Sequence, residues 1–138
     1  MYKYGKRSQE RLATVTTNLQ LVFKIVLALG LIAIAVVEGR RSKEDQNEYF
    51  RTGKSRVQWP NGKHNVKNPN DLAEAVDAAP YVNGKISWDQ RHCIFLAGLV
   101  QAVGKMVGVE IRWGGNWDRD GEPVTDQDFQ DLVHFEEV

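Results

Sequence analysis

Three histidines, His64, His92 and His134, are the residues of this 138-residue chain best suited to holding a metal ion. A catalytic zinc takes three protein ligands, commonly two imidazoles and a carboxylate, and keeps a fourth position for water. His64 and His134 are candidates for the imidazoles. They stand 70 residues apart, so spacing by itself leaves a shared metal open. Cys93 is the sole cysteine, which excludes an intramolecular disulfide and every zinc site built on a cysteine pair; it reads as a small core residue. Carboxylates crowd the C-terminal tail at Asp126, Asp128, Asp131, Glu136 and Glu137. A carboxylate beside a metal can act as general base, then general acid, but spacing singles out none of these five. Asn116, Asp118, Asp120 and Glu122 alternate oxygen ligands, with Gly121 at a turn, as at the start of a calcium loop. An EF-hand needs a longer loop and a bidentate closing Glu, so a polar turn is the competing reading.

The elements that must position these residues follow from periodicity. Residues 1–17 are polar and basic and are expected to form a loosely packed N-terminal segment. Leu19, Val22, Phe23, Val26 and Leu27 recur at helical spacing, which predicts a helix over 18–29 with Thr17 or Asn18 as N-cap. Gly30 stops it. Leu31 to Val37 reads as a buried strand delivering Glu38, Gly39, Arg40 and Arg41 to its exposed end, and Ser42 to Phe50 as a short helix. Thr52 to Leu72 reads as a long loop, the kind that tends to be functional, and His64 lies in it. Ala73 to Pro80 is expected to be a strand carrying Asp77 near its end. Trp88 to Val107 is the longest helix, ended by Gly108. Val109 to Trp113 and Leu132 to Phe135 are further strands, separated by a polar loop over 114–128. The expected fold is α+β: one compact domain over 1–138, with a small antiparallel sheet and flanking helices.

Charge narrows the function classes. Lys plus Arg and Asp plus Glu number 18 each, and no stacked-aromatic RNA motif is present, so a nucleic-acid partner is not expected. Residues 1–67 sum to +8 and residues 68–138 to −8, and an acidic second half suits a cation site. The apolar run Ile25 to Val37 is too short to span a bilayer, which needs about 20 apolar residues, and the mixed, long stretch before it fits a signal peptide poorly. No stable membrane insertion is expected.

Several segments occur in an order that resembles the VanY-like zinc peptidases. They are Gly39-Arg40-Arg41-Ser42, then Gln46, Lys63-His64, Ala75-Val76-Asp77-Ala78-Ala79-Pro80-Tyr81, and Asp131-Leu132-Val133-His134-Phe135-Glu136. Arg112-Trp113-Gly114-Gly115-Asn116-Trp117-Asp118 resembles a segment common in the small phage endolysins of that group. The resemblance covers about residues 10–138 and implies a domain built around zinc, with His64, Asp77 and His134 as ligands. Asp71 has the family's usual seven-residue spacing from the first histidine, whereas Asp77 has the matching context. Asp77 is therefore chosen, with Lys67 to Leu72 as a loop insertion and Asp71 as the fallback.

The same resemblance places the catalytic carboxylate at Asp131 and makes Arg41 the arginine facing substrate, where it would bind a stem-peptide carboxylate or stabilise the oxyanion. Glu136, two residues past His134, would share its strand face and orient a ligand. His92 has no counterpart among the family's ligands and is left out of the site. The implied activity is hydrolysis of peptidoglycan stem peptides by a monomeric phage endolysin cutting L-alanyl-D-glutamate. The alternatives are a D-alanyl-D-alanine carboxypeptidase and a non-catalytic wall-binding module that keeps zinc. Such a protein is made in the host cytoplasm and reaches the wall through a separate membrane-permeabilising protein.

Overall fold

The computed structural model describes residues 1–138. Four helices and five strands follow the order α1 (Lys6–Leu12), α2 (Thr17–Ala28), β1 (Ala33–Glu38), α3 (Lys43–Thr52), β2 (Ala75–Val82), β3 (Lys85–Ile86), α4 (Gln90–Val107), β4 (Ile111–Gly114) and β5 (Asp131–Glu137). The strands form one antiparallel sheet in the order β1-β2-β5-β4, with β3 hairpinned onto β2. This is the expected α+β domain.

Alternation along the strands gives the sheet two unlike faces. Val36, Val76, Trp113 and Phe135 point into the core with Val22, Phe23 and Val26 of α2 and Leu96, Ala97 and Val100 of α4. Phe135 meets Phe23 edge to face, ring centroids 5.4 Å apart. Their immediate neighbours along the strands, Asp77, His134 and Glu136, point to the other side. Strict alternation would place Glu38 on the core face with Ile34 and Val36. A register irregularity between Val36 and Glu38 sets it opposite Asp77 instead, as a bulge does when it re-aims a side chain.

The N-terminal segment departs from expectation. It is not loosely packed: Tyr4, Leu12 and Val15 are buried, and the Tyr4 hydroxyl donates to Phe23 O at 2.7 Å. Helix α1 covers the free edge of β1, where Ser8 Oγ accepts from Val36 N at 3.0 Å and Arg11 Nη1 donates to Val36 O at 3.1 Å. Those two bonds satisfy groups that an edge strand would leave open. With one apolar residue among its seven, α1 carries no helical periodicity for sequence reading to find. The N-cap of α2 is Thr16, whose side chain accepts from Leu19 N, rather than Thr17 or Asn18.

The apolar run from Ile25 to Val37 is divided between α2 and β1, and no helix is long and apolar enough to cross a membrane. Between α3 and β2 the chain has no regular element. Arg41 bridges to Asn65 there, and Arg41 N donates to His64 O at 2.9 Å, which pins the middle of the loop beside the end of β1.

Candidate metal centre and catalytic cleft

His64, Asp77 and His134 converge. His64 Nε2 stands 3.1 Å from Asp77 Oδ1 and 3.2 Å from His134 Nδ1, and His134 Nδ1 stands 3.2 Å from Asp77 Oδ1. The three atoms make a nearly equilateral triangle. Ligands of a tetrahedral zinc at about 2.0–2.2 Å lie roughly 3.3–3.5 Å from one another, so the triangle fits that ion within a few tenths of an ångström. Two elements and a loop supply it. Asp77 and His134 are directly opposed in the β2/β5 register, which puts their side chains on one face, and the pinned loop brings His64 over them.

Both imidazoles are oriented for this. His64 Nδ1 donates to Gly39 O at 2.7 Å and His134 Nε2 to Glu136 Oε1 at 2.8 Å, so in each neutral ring the other nitrogen turns its lone pair to the triangle. Burial disfavours the imidazolium of His134, but its bonds to Asp77 and Glu136 prevail and hold it up at about 9. Burial likewise opposes ionisation of Asp77; His64 and His134 outweigh it and hold that carboxyl far below the usual range. Glu136 is lowered in the same way, burial again being overcome by the bond to His134. Zinc prefers neutral imidazoles and an ionised carboxylate, so binding here would displace the proton that Asp77 and Glu136 hold on His134.

Asp131 begins β5 and faces the cleft beside the triangle. Burial first, then the Asp77 charge, raises it to about 6. Arg41 is buried at the end of β1. Its Nε and Nη2 fork onto Glu38 at 2.7 and 3.1 Å, its Nη1 donates to Gln46 Oε1 at 2.9 Å, and Nη2 lies 3.6 Å from Asp77 Oδ2. Burial alone would lower this guanidinium, and Glu38 more than compensates. Three of the five N–H groups of an arginine are therefore occupied. The cleft encloses about 480 Å³ and is lined by Arg41, His64, Asp131, His134 and Glu136, with Trp117 and Phe129 on one wall.

Sequence reading passed over three residues that build this site. Gln46 is fully buried, accepting from Arg41 and Asn65 and donating to Ser55 Oγ and Val57 O. Its place in the ordered motif was the available signal. Glu38 holds Arg41, and Trp117 packs on His134 with centroids 5.5 Å apart; neither type announces such a role. His92 bonds Ser87 Oγ at 2.7 Å at the start of α4, outside the cluster, and Cys93 is buried. Asp71 is exposed in a turn that its own N–H closes onto Asn68 O.

The calcium loop does not assemble as expected. Asp118, Asp120 and the unforeseen Asp126 lie together on the surface, but Asn116 is turned to donate to Asp120 O and Glu122 joins only through its backbone N–H to Asp120 Oδ1. Exposed acidic groups of this kind are common without an ion, and calcium finds no support.

Three comparisons bear on this geometry. The family model for phage L-alanyl-D-glutamate peptidase matches residues 1–138. The chain is 30% identical over 122 residues to the L-alanyl-D-glutamate peptidase of Escherichia phage T5, covering 88% of this chain and 85% of that protein. The crystal structure of the Serratia marcescens L-Ala D-Glu endopeptidase ChiX is similar with a TM-score of 0.74 and 25% identity, over 100% of this chain and 90% of that one.

Proposed function

Because the chain belongs to the phage L-alanyl-D-glutamate peptidase family, we propose that it hydrolyses that amide in peptidoglycan stem peptides with a zinc ion held by His64, Asp77 and His134. The observation that carries the reading is the triangle of His64 Nε2, Asp77 Oδ1 and His134 Nδ1 in a cleft that also takes Asp131. Of the two bonds the sequence leaves open, the family's is the one between L-alanine and D-glutamate.

Zinc bound there supplies a Lewis acid and makes water nucleophilic near neutral pH. Asp131 takes the proton of the attacking water and passes it to the leaving amide nitrogen. A carboxyl raised by burial is a better base for that transfer than an ordinary aspartate. Arg41 pairs with the second oxygen of Asp77 through Nη2 and keeps one Nη1 N–H for the substrate carbonyl oxygen, whose charge grows as the tetrahedral centre forms. Glu136 and Gly39 O keep the two imidazoles aimed.

The test compares lysis of outer-membrane-stripped bacteria by metal-stripped protein, zinc-restored protein and zinc-restored Asp131→Ala, with mass spectrometry of the muropeptides. Lysis that needs both zinc and Asp131, with new L-alanine C-termini, is expected. Release of D-alanine alone would transfer the reading to a carboxypeptidase, and tight zinc binding without any product would transfer it to a wall-binding module. Action on the wall as a monomer, synthesis in the host cytoplasm and release by a separate membrane-permeabilising protein complete the proposal. Sedimentation, and lysis of cells expressing the chain with and without such a protein, check them.

A further inference from the structure

Five cations line the catalytic cleft: Arg41, Lys54, Arg56, Lys63 and Arg112. Three are matched by carboxylates of the protein itself. Arg41 is forked onto Glu38, Lys63 Nζ lies 3.0 Å from Glu74, and Arg112 Nη1 lies 3.5 Å from Glu136. Lys54 and Arg56 have no carboxylate within ion-pair distance and donate no side-chain hydrogen bond. Each lies instead over an aromatic ring, Lys54 Nζ 5.4 Å from the Tyr49 centroid and Arg56 Cζ 4.8 Å from that of Phe129. Those rings belong to the site: Tyr49 also carries Arg41 at 4.6 Å, and Phe129 leans on Trp117, which packs on His134. A ring positions a cation without neutralising it. Both side chains are exposed at the rim, so the cleft carries there two positive charges that no carboxylate of the protein pairs.

We propose that Lys54 and Arg56 form a subsite for the free carboxylate of the glutamate residue on the leaving side of the scissile bond. The inference rests on the peptidase reading above. Glutamate joined through its amine to L-alanine has two carboxyl groups. Whichever continues the peptide, the other is an anion a few bonds from the nitrogen that leaves. A cleft of about 480 Å³ is equivalent to a cube roughly 8 Å on edge, at the small end of ligand-sized pockets, so a bond at the triangle and an anion at the rim lie within one short substrate. A guanidinium already held on a ring loses less freedom on pairing with a carboxylate than a free one does. The subsite would separate stems whose glutamate is a free acid from stems in which it is a primary amide, because the amide has the same shape and no charge.

The experiment uses zinc-loaded full-length protein and two peptides containing L-alanyl-D-glutamate, alike except that the free carboxyl is an acid in one and a primary amide in the other. Wild type is expected to cleave the acid with at least tenfold higher kcat/KM, chiefly through KM. The Lys54→Gln/Arg56→Gln double variant is expected to lose that preference while cleaving the amide as wild type does, and Arg56→Lys to retain part of it. Equal cleavage of both peptides by wild type, or a preference that survives in the double variant, would overturn the subsite and leave the peptidase reading intact. A double variant that loses both substrates alike would show a structural role and overturn it too. Cleavage of neither peptide by folded, zinc-loaded wild type would sink the peptidase reading, and the subsite with it.

Discussion

Asp77 and His134 are directly opposed in the antiparallel β2/β5 register, with Oδ1 and Nδ1 3.2 Å apart. Sheet geometry alone supplies two of the three proposed ligands, and the third, His64, arrives on a loop. Zinc should therefore clamp that loop to the sheet. Stripping with a chelator is expected to abolish activity, and restoring zinc at about a thousandfold above its Kd to stabilise by about 4 kcal/mol. For a domain of this size that is a Tm rise on the order of 10 °C. A differential scanning calorimetry pair reads it, and an unchanged Tm with zinc would remove His64, Asp77 and His134 as a joint site.

Asp131→Asn separates chemistry from metal binding. Asparagine keeps the volume and loses the base, so kcat should fall by about 10²–10⁴-fold, while zinc affinity by competition with a chromogenic chelator stays within about threefold of wild type, because Asp131 is not one of the three converging ligands. A fall in zinc affinity as large as the fall in rate would place Asp131 among the ligands instead.

How far the site was legible in the sequence depended on what kind of signal each residue left. The long amphipathic helices and the β-branched run before Glu38 show their periods plainly, and α2, β1 and α4 lie where those periods put them. The three converging residues have no local period; His64, Asp77 and His134 stood out only because several short segments stood in a familiar order. Residues that act through tertiary contact left least. Helix α1 exists to cover the β1 edge, Gln46 to join Arg41 to the loop at Ser55 and Val57, and Trp117 to wall His134. Each depends on a partner 9 or more positions away. The calcium reading failed for a related reason: alternation of oxygen-bearing residues does not decide where side chains turn, and Asn116 turned to the Asp120 carbonyl.

Glu136 tests the orientation of His134. It accepts from Nε2 at 2.8 Å and meets Arg112 at 3.5 Å. Glu136→Gln is expected to weaken zinc binding by about 10-fold or more while turnover at saturating zinc changes much less. A loss of turnover that saturating zinc does not recover would assign Glu136 a place in the chemistry itself.

Gly114 keeps β4 against Asp131. A Cβ there would collide with the Asp131 carbonyl oxygen and lie 2.8 Å from its carbonyl carbon, so Gly114→Ala must push the backbone of the proposed base away. Activity is expected to fall at least tenfold, in line with what small misplacements of catalytic groups cost, with zinc still bound. Gly98 on the outer side of α4 is the control, since nothing lies within 4 Å of an added Cβ. Gly98→Ala should leave activity unchanged and stabilise by about 1 kcal/mol through helix propensity. Equal effects of the two variants would contradict the assignment.

In chelator-treated protein the His134 imidazolium donates from Nε2 to Glu136 and from Nδ1 to Asp77, and stability should follow its second proton with pH. The folded-state value is raised to about 9 from an unfolded value of about 6.5. A raised pKa means that the folded state binds the proton more tightly, so the contribution is fully present below about pH 6.5 and is lost as pH rises through about 9. Asp77 and Glu136, both lowered, contribute in the opposite sense and lose their part only on acidification below the ordinary carboxylate range. The stripped protein should therefore be most stable on the mildly acidic side and lose Tm steadily from about pH 6.5 to 9. Zinc-loaded protein should lack that decline, because a ligated imidazole has no proton at Nδ1 to release. The His134→Gln variant, stripped of metal, should also be flat across the interval. Tm measured at half-unit steps from pH 5 to 10 decides it: a decline of equal steepness in stripped wild type and stripped His134→Gln would mean that the proton sits elsewhere.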